Sequence, residues 1–239
     1  MITRTTGRRP VTDRAWLFAV LGIYLASGLS ISAWLVRVPA IAQQLHLSAG
    51  PLGLLLLAQT LGAFLSVSAS GMVVMRLGAQ RTLWITFALM MLGGLGLAYA
   101  VSVLGSVTLA GIGLGLFGLG QATYSVAANV QGAAVERALG KQRMPLMHGC
   151  FSVGTVIGSI VGTAMTALGV SVAAHMTAVY AVVIVLVVVC MLSLNFRFLL
   201  VQHGGNVVLA ETRRAQAVVH GMEGQLPGGE RQRPRRRRH

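Results

Sequence analysis

Six long apolar stretches, separated by short polar connections, run along most of the chain. They cover residues 16–36, 52–75, 83–101, 103–133, 144–168 and 172–194. Each approaches or exceeds the ~20 residues that a helix needs to cross a hydrocarbon core of ~30 Å. The pattern therefore predicts an all-α membrane protein with six transmembrane helices.

The basic residues fall almost entirely on one side of this zigzag. Of the 19 Lys and Arg residues, 18 lie before the first stretch, in the second and fourth connections, or after the last stretch. Only Arg37 lies on the opposite side. The positive-inside rule then predicts a multi-pass protein of the cell (inner) membrane with both termini in the cytoplasm, and an even number of crossings agrees.

The composition supports a membrane protein and argues against other classes. Hydrophobic residues make up 55% of the chain and charged residues 10%, which would leave a soluble fold with more apolar surface than its interior could hide. There are no paired acids, nucleophile arrangement or metal-ligand spacing, so we expect no enzyme, no cofactor and no metal. The net charge of +14 is explained by basic loops and tail, so the lipid bilayer is the expected partner and nucleic acid is not.

The chain divides into three segments. Residues 1–14 form a basic cytoplasmic amino terminus, residues 15–200 form the transmembrane domain, and residues 201–239 form a basic tail that we expect to be disordered. Within the transmembrane domain, three crossings followed by three more suggest a 3+3 inverted repeat, an arrangement common in secondary transporters.

Glycines recur at helical spacing in the fourth and fifth stretches. The two sets are Gly111, Gly115 and Gly118, and Gly154, Gly158 and Gly162. Each set places a groove along one helix face, where a neighbouring backbone can approach closely. We therefore predict that both sets serve helix packing.

Polar side chains inside the stretches are expensive in lipid and must face protein or water. Gln121, Ser125 and Asn129 stand at i, i+4 and i+8 of the fourth stretch, and His148 begins a stripe of Ser and Thr on the fifth. Ser and Thr can bond their own helix backbone, whereas an amide or imidazole cannot be satisfied so locally. These residues therefore line a cavity or gate, or else form structural bonds between helices.

Depth in the bilayer separates two kinds of candidate. Gln121 and Tyr124 lie near the midplane, where transporters hold their solute, so these residues and Ser125 are predicted solute or cavity contacts. Gln59 in the second stretch is a further cavity candidate.

Other candidates lie nearer to the membrane surfaces. Asn129 and His148 are closer to the inner mouth and are predicted gate residues. Arg37, at the outer side, is either an arginine that extends to the interface or part of an outer gate that attracts anions. His175 begins the sixth stretch near the outer interface, where we expect water to satisfy it.

Two sequence runs resemble bacterial members of the major facilitator superfamily, in a fucose-permease-like branch. They are WLVRVPAI at residues 34–41, and NVQGAAVER at residues 129–137, which continues to HGCFSVG at residues 148–154. The resemblance covers about residues 15–200. It implies proton-coupled or facilitated movement of a small solute by alternating access, with the polar faces lining a central cavity.

The loop between the second and third stretches also resembles the family pattern, with one departure. Arg76 and Arg81 match its basic residues, but Met75 stands where the family has an acid. The resemblance implies gate roles for both arginines and for Glu136. Related sequences tend to have Asp where this chain has Ser125, so an embedded proton carrier is missing here.

The family has twelve spans, whereas six are predicted here. The predicted fold is therefore half of a twelve-helix major facilitator bundle. The expected function is transport of an unidentified small solute by a truncated or half-size form, which needs a second six-helix half or self-association. The alternative is a truncated product that does not transport, or a membrane interaction subunit whose basic tail binds anionic lipid.

Overall fold

A computed structural model describes residues 10–194, with side chains from Arg14 onward. Within this range the chain forms seven helices and no strand. Their bounds are α1 Pro10–Leu35, α2 Val38–Gln44, α3 Ala49–Leu77, α4 Ala79–Ser102, α5 Val107–Leu139, α6 Met144–Ala167 and α7 Val172–Leu194. The tail, residues 201–239, and most of the amino-terminal segment, residues 1–14, lie outside the described residues.

All of the described helices except α2 are long and apolar enough to cross a membrane. This confirms the predicted all-α fold with six transmembrane helices. α5 ends at Leu139 and not near residue 133, so its last turns continue beyond the apolar stretch. The hydrophobic pattern does not predict α2, because its seven residues are too few to show a helical period.

Two tight turns join helices at the end of the bundle that carries the basic connections. Gly78 links α3 to α4 with φ of 79°, and Gly140 ends α5 with φ of 62°. Residues with a Cβ rarely adopt these angles, whereas glycine adopts them at little cost. Both connections are therefore short, and the helices they join are neighbours in the chain that run in opposite directions.

The transmembrane helices form two consecutive groups of three, and the helices of each group pack mainly against helices of the other group. The first group is α1, α3 and α4, and the second is α5, α6 and α7. The first helix of each group packs along the second helix of the other, because α1 contacts α6 and α3 contacts α5. α4 packs along α5, and α7 meets α1 where the Tyr180 hydroxyl donates to the Ser30 carbonyl at 3.4 Å. Exchanging the two groups leaves these contacts unchanged, as an inverted repeat requires.

Glycines allow the close approach of these exchanged pairs. A Cβ on Gly154 of α6 would collide with the carbonyl of Leu25 in α1, and one on Gly118 of α5 would collide with that of Gln59 in α3. The other glycines of the α5 set face α3 as well, and Gly158 faces α1. Lipid gives helices no hydrophobic drive to associate, so close packing must supply it. The predicted packing function of the glycine sets is confirmed.

α3 and α6 leave most of their apolar surface uncovered. In the most apolar part of each helix, 11% of α3 and 17% of α6 is buried, against 61% for the segment that contains α1. Leu54, Phe64 and Leu65 of α3 and Ile160 of α6 are all exposed. Lipid or another protein must cover these two faces.

Candidate functional site

A cavity of about 150 Å³ lies between α1, α5 and α6. The residues that line it are Tyr24, Ser27, Gln121, Tyr124, Ser125, Ala128, His148 and Phe151. The structure thus brings together three of the predicted cavity residues with His148, a predicted gate residue. Hydroxyl, amide and imidazole groups share this wall with aromatic rings, so it offers both hydrogen bonds and flat apolar contacts.

Tyr24 of α1 is the centre of this wall, and sequence reasoning missed it. Its hydroxyl donates to Oδ1 of Asn129 at 2.5 Å, and its ring meets the His148 ring edge-on with centroids 5.4 Å apart. Tyr24 therefore links Asn129 of α5 to His148 of α6. A polar aromatic residue near the middle of the first apolar stretch was the available signal, because buried tyrosine hydroxyls usually have a partner.

Tyr124 contributes its ring to the wall more than its hydroxyl. The side chain is 1% exposed, and the hydroxyl donates to the carbonyl of Ile23 in α1 at 3.2 Å. The ring also lies 6.4 Å from that of Phe87, measured between centroids. Tyr124 thus fixes the spacing of α1 and α5 on one side of the cavity.

Gln121 and Ser125 have polar groups available in the cavity. Gln121 is half-buried and Ser125 is exposed. Neither side chain makes a hydrogen bond to another of the described residues, so both remain free to contact a solute. Gln59 lies elsewhere: it is half-buried on α3, at the contact with Gly118, and does not line this cavity.

Hydroxyls of the α6 stripe mostly bond their own helix. Ser152, Thr155 and Thr166 each donate to the carbonyl four residues earlier, at 2.8–3.1 Å. For Ser152 and Thr155 the local alternative is therefore the correct one, whereas Thr166 also accepts a hydrogen bond from Arg37.

Glu136 joins α5 to α6. Its Oε1 accepts the backbone N–H groups of Arg143 at 2.5 Å and Met144 at 2.7 Å, at the start of α6. A carboxylate there satisfies N–H groups that have no partner in the helix and complements the helix dipole. Arg76 and Arg81 are exposed on either side of the α3–α4 turn, and no hydrogen bond joins them to Glu136 in the described part of the chain.

Arg37 lies at the opposite end of the bundle and is buried, with 3% of its surface exposed. Nη1 donates to Oγ1 of Thr166 at 2.8 Å, and Nη2 donates to the carbonyl of Val170 at 2.5 Å. The guanidinium therefore ties the end of α1 to the end of α6 and the connection that follows it.

His175 is also buried, at 2% exposure, and neither ring nitrogen has a partner among the described residues. The expectation that interfacial water satisfies this ring is wrong, because the packing of α7 turns it inward. It lies in the first turns of α7, beside the connection that Arg37 contacts.

Comparison with known proteins gives a consistent result. The model of the Major Facilitator Superfamily matches residues 17–232. An uncharacterized MFS-type transporter of Yersinia pestis is 31% identical over 172 residues, which cover 72% of this chain and 43% of that protein. An uncharacterized transporter of Sinorhizobium fredii is 33% identical over 155 residues, or 64% of this chain and 39% of that protein. The chain thus spans less than half the length of these curated relatives, and no solved structure matches.

Proposed function

The chain belongs to the major facilitator superfamily, and from this we propose that it forms one half of an alternating-access transporter for a small solute. The observation that supports the proposal best is the polar cavity between α1, α5 and α6. Polar groups inside a membrane bundle are costly, and they commonly mark a passage or a binding site. The curated relatives are both named as transporters.

The lining of the cavity favours a solute that is polar and uncharged. No Asp, Glu, Lys or Arg is among the residues that line it, whereas Gln121, Ser125 and the rings of Tyr24 and Phe151 are. Such a wall recognises hydrogen-bonding groups and flat apolar surfaces and does not compensate a full charge. His148 is the candidate for any proton coupling, because an imidazole can both accept and donate a proton.

We assign the gate to the contact between Tyr24 and Asn129. Asn129 is two turns from Gln121, or about 12 Å nearer to the basic end of α5. Opening a path to that side requires α1 and α5 to separate, which breaks this bond. The His148 ring packs edge-on against the Tyr24 ring, so breaking this bond changes the surroundings of His148.

The basic connections give the orientation that we propose. Arg76, Arg81, Arg137, Lys141 and Arg143 all lie at one end of the described bundle. The positive-inside rule assigns that end, and both termini, to the cytoplasmic side of the inner membrane.

A second half is needed to complete the passage. The cavity holds about 150 Å³, which is about half the lower limit for ligand pockets of ~300 Å³. The uncovered faces of α3 and α6 offer surfaces for such a half, supplied by a partner or by a second copy. The alternative is a six-helix product that does not transport. Within the superfamily, we propose the fucose-permease-like branch as the subfamily of this chain.

Transport assays with matched variants test this function. The chain is co-expressed with the second half of a relative, and uptake is measured for mannitol as a neutral polyol, lactate as an anion and choline as a cation. We expect uptake of the neutral solute class, lost in Gln121→Leu and retained in Gln131→Leu, whose glutamine is on α5 but outside the cavity wall. Uptake of only the charged solutes, or equal effects of the two substitutions, would contradict the proposal.

A further inference from the structure

An apolar groove of about 380 Å³ lies between α6 and α7, near the end of the bundle opposite the basic connections. Ile157 and Val161 of α6 and Val182 of α7 are among its walls, and all three are exposed. The groove therefore opens outward from the helix pair, towards the place where the bilayer lies. A groove with this lining suits a hydrocarbon chain.

One end of the groove is polar and carries unused hydrogen-bond donors. His175 lines it, and so does Val170, whose carbonyl accepts a hydrogen bond from Arg37. Arg37 uses two N–H donors of the five that a guanidinium has, and its Nε has no partner among the described residues. His175 lines this end of the groove directly, whereas Arg37 is not among the lining residues and lies behind Val170. Each of the two side chains has nitrogen atoms left to bond one further group.

The charge of Arg37 has no counter-ion in this part of the protein. The sequence has no Asp or Glu at residues 14–135 or 137–210. Glu136 is at the far end of α5, roughly 40 Å along the helix from its start. The acceptors of the guanidinium, Thr166 and Val170, are both neutral. A buried charge without a counter-ion is costly, so an anion from outside the described residues would stabilise this site.

We propose that a membrane phospholipid occupies this groove, with one acyl chain between α6 and α7 and its phosphate paired with Arg37 and His175. Arg37 lies just after α1, and the groove runs from Val170 beside it to Val182 in the apolar part of α7. The ends of membrane-spanning helices lie near the lipid phosphates, and arginine binds phosphate through paired N–H donors. A carboxylate from a partner protein would also compensate the charge, but it would leave the apolar groove without an occupant.

Lipid binding is measured on the purified full chain by native mass spectrometry in mild detergent. The probes are phosphatidylglycerol and a diacylglycerol with the same acyl chains but no phosphate. We expect Arg37→Gln to weaken the tightest phosphatidylglycerol-binding step by about tenfold, while weaker binding at the other basic residues remains. Val182→Trp fills the groove and is expected to weaken the binding of both lipids.

Two matched variants serve as controls. Arg81→Gln removes an exposed charge at the other end of the bundle, and Val185→Trp changes a residue of α7 that is 65% exposed, as Val182 is 62% exposed, but does not line the groove. Both are expected to bind phosphatidylglycerol as the unmodified chain does.

Equal phosphatidylglycerol binding by Arg37→Gln and Arg81→Gln, or by Val182→Trp and Val185→Trp, would overturn the proposal. Because Val182 is exposed, its pair decides the matter even if Arg37→Gln fails to fold. Loss of a protein partner in Arg37→Gln, with lipid binding unchanged, would instead identify a carboxylate as the counter-ion and would also overturn it.

Discussion

The hydrogen bond between Tyr24 and Asn129 gives the sharpest test of the proposed gate. Tyr24→Phe removes only the hydroxyl that donates to Asn129 at 2.5 Å, and it leaves the ring in place against His148. Asn129→Leu removes the other partner and leaves no unpaired amide. Both variants should insert into the membrane, because one bond does not hold a bundle that packs along several helix pairs.

The size of the effect follows from hydrogen bonds measured between transmembrane helices. Such bonds contribute ~0.6 kcal/mol on average and up to ~1.7 kcal/mol. This range corresponds to a change of about threefold to about eighteenfold in a gate equilibrium. A change of that size leaves most of the protein folded but alters the rate of transport measurably.

The assay compares membrane abundance with solute uptake, with the second half co-expressed. Tyr180→Phe is the matched control, since it removes a hydroxyl that bonds α7 to α1 outside the cavity, at 3.4 Å from the Ser30 carbonyl. We expect Tyr24→Phe and Asn129→Leu to alter uptake at normal abundance, and the double variant to add little to either. Tyr180→Phe is expected to leave uptake nearly unchanged.

Three results would refute the reasoning. Normal uptake by an abundant Asn129→Leu variant would show that Asn129 has no part in the gate. Disappearance of this variant from the membrane would show that Asn129 is needed for folding. Fully additive effects in the double variant would show that Tyr24 and Asn129 act independently.

Four further predictions concern topology, assembly and packing. A cysteine at Ala138 should be shielded from an impermeant thiol reagent in intact cells and one at Gln44 labelled; the reverse pattern would overturn the orientation. Gentle detergent extraction should yield dimers, a complex with a second half or aggregates, and a stable monomer that transports solute would contradict the need for a partner. Gly154→Ala should destabilise the bundle by ~1–3 kcal/mol through contact with α1, whereas Gly149→Ala, with open space around it, should not; equal denaturation midpoints would refute this. Glu136→Leu should lower the thermal unfolding temperature more than Glu136→Gln, which keeps an acceptor for the start of α6, and identical temperatures would show that these bonds do not matter.

The fold was predictable because its signal is local. Each transmembrane helix appears as one apolar stretch, and the glycine sets mark packing faces through their spacing alone. The end of α5 was not predictable in this way, because the polar turns that continue to Leu139 depend on the connection to α6. The Glu136 carboxylate stabilises that connection by accepting backbone N–H groups of residues seven and eight positions later in the chain. The repeating pattern of a single helix does not reveal such a contact.

The site was predictable only in part because it depends on how helices are rotated against each other. Gln121 and Ser125 share a face of one helix, and that face does line the cavity. Tyr24 meets Asn129 across 105 residues of sequence, and no pattern within α1 indicates that meeting. His175 shows the same limit, because packing of α7 and not its depth in the bilayer decides whether its ring meets water.

The exchanged packing of the two helix groups bears on how the protein is made. α1 has its long contact with α6, and α3 has its long contact with α5. Both early helices therefore pack against helices that are synthesised later. A nascent chain that has released only α1 to α4 can insert its helices but cannot yet bring α1 and α3 to their final neighbours. The order of synthesis therefore leaves the first half of the bundle exposed to membrane proteases and chaperones until α6 has entered the bilayer.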